Sequence, residues 1–193
     1  MNTAEFNWLD KLIAQLRLAK VLAYVRRDDV ILDFGCGVQH YLLSQTKRIF
    51  QRGYGIDYDI ENSQKDNIIL LRQRYQDKLP FEQNFFDKVF MLAVLEHIQK
   101  DRVNILFQEL SRVLKADGSI ILTTPTPQGQ KVLEFLSFKL KIISAQEIAD
   151  HKHYYTQVEL SAIAAANGLR VQAYKFFQFG LNSLCVLGKN KNV

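Results

Sequence analysis

Short apolar runs alternate with helical patterns along this chain of 193 residues. Four runs, at 30–32, 54–56, 68–71 and 89–93, lack the apolar–polar alternation of half-exposed strands and predict buried ones. A fifth strand is predicted at 119–124, before two prolines. Buried strands separated by helical segments are typical of an α/β fold with a mostly parallel sheet and helices on both faces.

Three stretches have apolar residues at helical spacing. Residues 5–26 predict an amphipathic helix before the first strand, and residues 101–115 predict one before the fifth. We expect Gly118 to end the second helix in the left-handed conformation. A third helix, over 157–167, has Thr156 at its N-cap and Glu159 in the capping-box position. Two strands, 169–179 and 183–187, then predict a terminal hairpin.

Composition excludes several classes of function. Hydrophobic residues make up 48% of the chain and charged residues 23%, and no run is long enough to span a membrane. The N-terminus does not read as a secretory leader, and the two cysteines form neither a disulfide framework nor a metal-ligand spacing, so we expect a cytoplasmic protein. The net charge is +5, but the basic residues are scattered, so nucleic acid is not an expected partner.

The first buried strand runs directly into Asp33, Gly35 and Gly37, and a helix is predicted just after them. Strand, glycine turn and helix form the first half of a nucleotide-binding βαβ unit. The alternative is a tight turn that binds nothing. A dinucleotide fingerprint needs a third glycine at His40, which disfavours a nicotinamide-dependent oxidoreductase. Cys36 is expected to pack against backbone rather than to act as a nucleophile.

The second strand ends at Asp57, twenty positions after Gly37. A carboxylate at the tip of this strand is the group that pairs with the two ribose hydroxyls of a bound nucleoside. The alternatives are that Asp57 only caps a turn, or that Asp59 takes the ribose role.

These residues resemble a known family. The run Asp-Phe-Gly-Cys-Gly-Val-Gln at 33–39 is similar to motif I of class I S-adenosylmethionine (SAM) dependent methyltransferases, acidic-x-Gly-x-Gly-x-Gly, with Gln39 in place of the last glycine. The runs Phe-Asp-Lys-Val at 86–89 and Val-Leu-Glu-His at 94–97 resemble further signatures of the small-molecule branch (type 11/12-like domains). The resemblance covers residues 30–188 and implies a Rossmann-like seven-stranded sheet with an antiparallel C-terminal strand.

The resemblance implies SAM as cofactor, S-adenosylhomocysteine (SAH) as product, and a set of cofactor-binding residues. We expect this set to be Asp33, Gly35, Cys36, Gly37, Asp57, Tyr58, Asp77, Leu79, Ala93 and Leu95. Asp77 lies two residues later than the family's adenine-binding acid, whose place is held by Tyr75. Asp77, Gln76 or backbone groups are therefore the alternatives for that contact.

His97 is the leading candidate for the catalytic base or acceptor-orienting group, with His153 second and Tyr154 as a hydrogen-bonding partner. The alternative is that His97 only caps or packs. Asp150, His151 and His153 lack a further well-placed ligand, so we expect no metal.

The predicted activity is methyl transfer from SAM to an O, N or C atom of a small-molecule, lipid or glycan acceptor. A catalytically inactive SAM-fold protein is the alternative, because of Gln39 and the displaced Asp77. We expect a single domain, with residues 1–28 as a helical cover and 125–155 as a substrate lid. The Lys-rich apolar stretch at 130–143 also suits peripheral contact with a lipid surface.

Overall fold

The computed structural model describes residues 8–74, 78–134 and 152–190. Its helices are α1 (Trp8–Val21), α2 (Tyr41–Thr46), α3 (Val103–Val113), α4 (Pro127–Glu134) and α5 (Gln157–Ala166). Its strands are β1 (Val30–Phe34), β2 (Arg52–Asp57), β3 (Ser63–Lys65), β4 (Ile68–Arg72), β5 (Phe86–Leu92), β6 (Leu114–Pro125), β7 (Leu169–Phe177) and β8 (Asn182–Lys189). Short 3₁₀ turns lie at Leu22–Tyr24, Leu95–His97 and Lys100–Arg102.

The strands form one sheet in the order β3-β4-β2-β1-β5-β6-β8-β7. The five strands from β4 to β6 in this order run parallel, and β8 lies antiparallel between β6 and β7. The predicted mostly parallel sheet with an antiparallel C-terminal strand is therefore confirmed. The sheet has an eighth strand, β3, antiparallel to β4. Its three residues are polar and exposed, so no hydrophobic pattern marks them in the sequence.

Helices cover both faces of the sheet and bury two hydrophobic clusters. The side chains of β5 alternate between them, because successive side chains of a strand point to opposite faces. Val89 and Met91 pack with residues of α3 and α5, whereas Phe90 packs with residues of α1 and α2. Within the described ranges, no helix combines the length and apolar character needed to cross a bilayer.

The order of the strands decides where a ligand can bind. The chain builds outward from β1 to β2 and β4, then returns to place β5 on the other side of β1. Between β1 and β5 the connections therefore leave in opposite directions, which opens a crevice at the carboxyl ends of the parallel strands. We call this end of the sheet the carboxyl edge.

The end of α3 differs from the prediction. The helix stops at Val113, and Leu114 is already extended and pairs with Phe86. The expected left-handed cap at Gly118 is wrong, since Gly118 does not have a positive φ. A Cβ atom there would lie 2.7 Å from Leu114 Cδ1 and 3.0 Å from the carbonyl oxygen of Asp87. Close packing, and not backbone conformation, is what requires this glycine.

Asp87 lies at the opposite end of the sheet from the crevice, because it stands at the start of β5. Its carboxylate accepts the backbone N–H of Val30 at 2.9 Å and the amine of Lys115 at 2.8 Å. These contacts tie the start of β1 to β5 and β6, so Asp87 is a structural residue.

Glu109 and Arg112 on α3 hold the segment that leads from β4 to β5. Glu109 Oε1 accepts the backbone N–H of Leu79 at 2.8 Å. The guanidinium of Arg112 donates to Glu109 and, at 2.8 Å, to the carbonyl oxygen of Phe81. Burial acts to raise the pKa of Glu109, but these donors outweigh it and the pKa is lowered.

Replacing Arg112 with methionine should therefore destabilise the protein by about 2–3 kcal/mol, because it leaves a largely buried carboxylate without its cation. Urea unfolding checks this. The double variant E109Q/R112M should recover part of the loss, since it leaves no buried charge. The exposed Arg48→Met is the matched control, and equal stability of R112M and R48M would contradict the prediction.

Candidate functional site

The turn after β1 is hydrogen-bonded to the end of β2. The backbone N–H of Gly35 donates to the carbonyl oxygen of Ile56 at 2.8 Å, and the N–H of Gly37 donates to Asp57 Oδ2 at 2.9 Å. Gly35 and Gly37 have φ of +74° and +66°, a conformation that favours glycine. The predicted glycine turn and the predicted strand-end acid are thus brought together.

The two glycines are needed for different reasons. A Cβ atom at Gly35 would lie 2.4 Å from Val94 Cγ2, so the chain after β1 and the chain after β5 touch at this point. A Cβ atom at Gly37 would meet no atom within 4 Å. Gly37 therefore faces open space in the crevice, where a ligand can approach the backbone closely.

The departure from motif I at Gln39 is accommodated without strain. Gln39 is exposed and its φ is not positive, so the backbone does not demand glycine there. The left-handed position is instead His40, with φ of +34°, which precedes α2. The bulk of Gln39 lies outside the contacts between the glycine turn and β2.

Asp57 points into the crevice. Its Oδ2 accepts the N–H of Gly37, and its Oδ1 accepts the N–H of Asp59 at 3.1 Å. Each carboxylate oxygen has two lone pairs, so both oxygens can still accept a hydroxyl. The half-buried carboxylate is therefore held in one orientation with a free acceptor on each oxygen, which fits the two hydroxyls of a ribose.

Asp33 is buried at the end of β1, with 3% of its surface exposed. Burial, and then the nearby charge of Asp57, raise its pKa to about 7. A carboxyl group that changes charge near neutral pH at a crevice is typical of functional sites. An approaching cation would favour the ionised form of Asp33.

Cys36 packs against β2, as the sequence predicts. A Cβ atom at Gly55 would lie 2.9 Å from the Cys36 Sγ atom. Burial raises the pKa of the thiol, and Asp33 and Asp57 raise it further. The thiolate is the nucleophilic form, so Cys36 is not placed to act as a nucleophile.

Ala93 has a positive φ of +57° just after β5. Its N–H donates to the carbonyl oxygen of Thr123 on β6 at 2.9 Å, which holds the strained turn in place. Non-glycine residues in this conformation cluster at ligand sites. The strain supports the predicted role of Ala93 at the crevice, on the side of Gly35 away from β2.

The remaining predicted cofactor-binding residues differ in their exposure to solvent. Tyr58 is exposed beside the end of β2, with the Arg74 guanidinium 5.9 Å from its ring centroid. Leu95 and Leu79 are buried in the core, and both backbone groups of Leu79 are hydrogen-bonded to α3. Asp77 and its alternative Gln76 lie outside the described residues.

Beyond β5, the chain carries a buried carboxyl group that is not among the site residues predicted from the sequence. Glu96 has none of its surface exposed, and its Oε2 accepts the hydroxyl of Thr124 at 3.1 Å. Its Oε1 has no hydrogen-bond partner within the described part of the chain. Burial raises the pKa of Glu96 and outweighs its hydrogen bonds and the nearby charges of His97 and Arg17.

Tyr155 contributes a second buried polar atom to this region. Its hydroxyl also lacks a partner among residues 8–74, 78–134 and 152–190. Its pKa is raised to about 12 by burial and by the charges of Glu159 and Glu96. Buried polar groups without partners call for a ligand or a water. The only signal in the sequence was the position of Glu96 in the Val-Leu-Glu-His run.

The structure brings the backbone of His153, one of the three predicted catalytic residues, to the turn that contains a second one, His97. His97 is half-buried in the 3₁₀ turn after β5. The backbone N–H of His153 donates to the carbonyl oxygen of Glu96 at 3.4 Å, and Tyr154 follows His153 in the chain. The His153 ring, however, hydrogen-bonds through Nε2 to Glu159 Oε1 at 2.8 Å.

The hydrogen bond between His153 and Glu159 helps to fix the N-terminus of α5. Thr156 and Glu159 form the predicted capping box, which is confirmed. Burial opposes the charge of Glu159, but the hydrogen bonds from Thr156 and His153 prevail and lower its pKa to about 2. One nitrogen of His153 is thus engaged in holding the helix start. The described residues contain no cluster of metal ligands, and His151 lies outside them.

A family model described as a methyltransferase domain matches residues 7–174, which is most of the chain. A search of curated protein sequences matches no relative.

Solved structures share the fold at low sequence identity. A chain that forms a complex with the Haloferax volcanii Trm112 methyltransferase activator is 16% identical with a TM-score of 0.69, covering 91% of this chain and 88% of the other. A SAM-dependent methyltransferase from Methanosarcina mazei is 17% identical with a TM-score of 0.65, covering 88% and 96%. CalO1, a methyltransferase of calicheamicin biosynthesis in its SAH-bound form, is 16% identical with a TM-score of 0.69, covering 94% and 55%.

Proposed function

The chain belongs to the methyltransferase-domain family, and on that premise we propose that it is an active enzyme that transfers a methyl group from SAM to a small-molecule, lipid or glycan acceptor. The observation that carries the proposal is the contact between Asp57 Oδ2 and the N–H of Gly37. It places a carboxylate with free acceptors beside an open glycine turn at the switch point of the sheet.

The residues present fit the adenosyl part of SAM. Asp57 would accept the two ribose hydroxyls, and the open space at Gly37 would admit the methionyl chain against the backbone. Asp33 would face the positively charged end of the donor, whose charge would favour the ionised carboxylate. Tyr58, exposed after β2, would lie beside the adenine.

When bound, SAM supplies an activated methyl group for direct displacement at carbon. The largest task of the protein is then alignment of the acceptor in line with that group. A hydroxyl or amine acceptor also has to lose a proton. His97 is proposed to take it, because it follows the crevice-forming turn at Ala93 and Val94.

Glu96 and Tyr155 are proposed to position the acceptor or the base. Glu96 lies in the same 3₁₀ turn as His97, and one side-chain oxygen each of Glu96 and Tyr155 has no hydrogen-bond partner among the described residues. Residues 8–28 and the described parts of 125–155 remain proposed as cover and lid, while residues 1–7 and 135–151 lie outside the described structure. A cytoplasmic location and a single-domain organisation likewise stay predictions.

Two measurements test the function together. Calorimetric titration with SAH should show binding, and NADH should show none. Label from methyl-labelled SAM should then appear in an acceptor fraction of a cell extract. SAH binding without any labelled product would favour the alternative, an inactive SAM-fold protein. Absence of SAH binding would overturn both.

Replacing His97 with alanine should lower turnover at least tenfold and leave the dissociation constant of SAH unchanged, because general base catalysis contributes about this factor or more. Steady-state kinetics on the identified acceptor and calorimetry with SAH measure the two quantities. His40→Ala is the matched control, since its ring contacts the Val38 carbonyl of the glycine turn and not β5. Unchanged turnover in H97A would remove His97 from the mechanism.

A further inference from the structure

The most exposed apolar side chains of the described residues all lie at the carboxyl edge. Five large apolar side chains are more than 60% exposed: Val38, Tyr58, Val158, Phe176 and Phe179. Val38 follows β1 and Tyr58 follows β2. The other three lie at the start of α5, at the end of β7 and in the β7–β8 turn. Single exposed apolar residues need no explanation, but their collection at one end of the sheet does.

Three of these residues belong to elements on the side of β6 away from the glycine turn. Phe179 is 105% exposed, Val158 is 78% exposed and Phe176 is 61% exposed. We call these three residues the apolar rim.

Pairing and hydrogen bonds place the rim at the carboxyl edge. Asn182 pairs with Pro125 at the end of β6, so the β7–β8 turn lies at that edge. Phe176 is the penultimate residue of β7. Val158 is in the first turn of α5, which starts just after His153 binds the carbonyl oxygen of Glu96.

The turn that carries Phe179 is braced rather than loose. Gln178 and Phe179 have φ of +50° and +58°, a conformation that non-glycine residues rarely adopt. The Asn182 amide donates to Gln178 Oε1 at 2.6 Å, and the Thr126 hydroxyl donates to the carbonyl oxygen of Gly180 at 2.7 Å. The fold therefore holds an aromatic ring out in solvent at the apex of a fixed turn.

The charges nearby suit an anionic surface. Lys175 precedes Phe176, and Lys152 precedes the start of α5, and both are exposed. Glu159, the residue after Val158, is bound by His153 and Thr156. The chain as a whole has a net charge of +5. Projecting aromatic rings combined with cations are typical of proteins that lie on membranes.

The small area of the apolar rim favours a lipid surface over a second protein as its partner. A buried aromatic side chain contributes about 150–250 Å², so three side chains fall short of the roughly 800 Å² per partner that a stable protein interface needs. A few inserted apolar groups and cations, by contrast, suffice for reversible membrane binding.

We propose that the apolar rim docks the carboxyl edge on an anionic lipid bilayer, so that the crevice opens toward the membrane. This docking, together with the proposed function on which the inference rests, makes the methyl acceptor an amphiphile that resides in the bilayer. Such an acceptor would enter the crevice directly from the lipid surface, beside His97 and Glu96.

Flotation of the full chain with vesicles tests the surface. The protein should float with phosphatidylcholine vesicles that contain one third phosphatidylglycerol, and much less with phosphatidylcholine alone. Phe179→Ser should lower the bound fraction about tenfold, because the burial of one aromatic side chain contributes that order of affinity. The double variant F176S/F179S should fall to background. Ile49→Ser, an exposed apolar residue before β2 at the opposite end of the sheet, is the matched control.

Several outcomes would overturn the lipid surface. They are failure of the unmodified protein to float, flotation of F176S/F179S equal to that of the unmodified protein, or a dimer in solution that this double variant converts to a monomer. The last outcome would assign the rim to a protein interface. SAH titration of each variant confirms that the cofactor site is intact.

A separate measurement tests whether the acceptor is a lipid, so that failure of this inference can be distinguished from failure of the proposed function. Label from methyl-labelled SAM should enter the lipid extract of vesicles made from cell membranes. Flotation with labelled product only in the water-soluble fraction would overturn the lipid acceptor. Flotation without SAH binding would instead overturn the proposed function and leave the docking surface standing.

Discussion

Replacement of Asp57 by asparagine is expected to weaken SAH binding about 100-fold or more, the largest functional effect predicted for a single substitution. Two hydrogen bonds to a charged acceptor contribute about 3 kcal/mol or more, which is about two orders of magnitude in the dissociation constant. The amide of asparagine would also turn a donor toward the N–H of either Gly37 or Asp59, both of which the carboxylate now accepts.

Calorimetry with SAH measures the loss, and thermal unfolding shows whether the variant still folds. Asp59→Asn is the matched control, because Asp59 contacts Asp57 only through its backbone N–H, which the substitution keeps. Equal affinities of D57N and the unmodified protein would remove the ribose contact. A loss in D59N instead would transfer the role to the neighbouring acid.

Stability is expected to fall as pH rises from about 4 to about 7, and Asp33→Asn should remove much of this slope. Burial and the charge of Asp57 raise the pKa of Asp33 from 3.8 to about 7. Between these two values the folded protein holds a proton that the unfolded chain has lost, so raising the pH favours unfolding. Below the lower value and above the upper one, Asp33 contributes no slope.

The size of the effect follows from the shift. Each pKa unit corresponds to 1.36 kcal/mol, so Asp33 costs about 4 kcal/mol of stability above pH 7. D33N should therefore be more stable than the unmodified protein at pH 8 and about equal to it at pH 4. The raised pKa of Glu96 acts in the same direction, so some slope should remain in D33N. Urea unfolding at several pH values measures these differences.

A slope of opposite sign in the unmodified protein, or a D33N variant with an unchanged slope, would contradict this account. The variant also reports on the site. If ionised Asp33 faces the α-ammonium group that SAM and SAH share, D33N should bind SAH more weakly at pH 8 despite its greater stability, a trade-off typical of residues kept for function.

Local patterns were sufficient to predict the central sheet, the glycine turn and the acid at the end of β2. The four buried runs became β1, β2, β4 and β5, because apolar side chains on both faces of a strand can be satisfied only between two helical layers. Asp33, the two glycines and Asp57 lie within one βαβ unit, so their spacing along the chain is sufficient to predict that they lie close together.

Contacts distant in sequence could not be predicted in this way. Nothing local indicates that Gly118 is required by Leu114 and Asp87, or that polar residues 63–65 form β3 against β4. Similarly, one Glu96 oxygen is bound by Thr124 from β6, and the other has no partner within the described part of the chain.

The sequence by itself determined the fold class, the glycine turn and the acid at the end of β2, because hydrophobic period and turn chemistry act over a few neighbouring residues. The tertiary structure alone decided which buried polar atoms have partners among the described residues and which apolar side chains form the apolar rim. Exposure and hydrogen-bond satisfaction are properties of groups that different strands and helices bring together, and Phe176 and Phe177 show the difference. They are adjacent and identical in chemistry, yet one is buried in the core and the other lies in solvent, since opposite faces of β7 meet different surroundings.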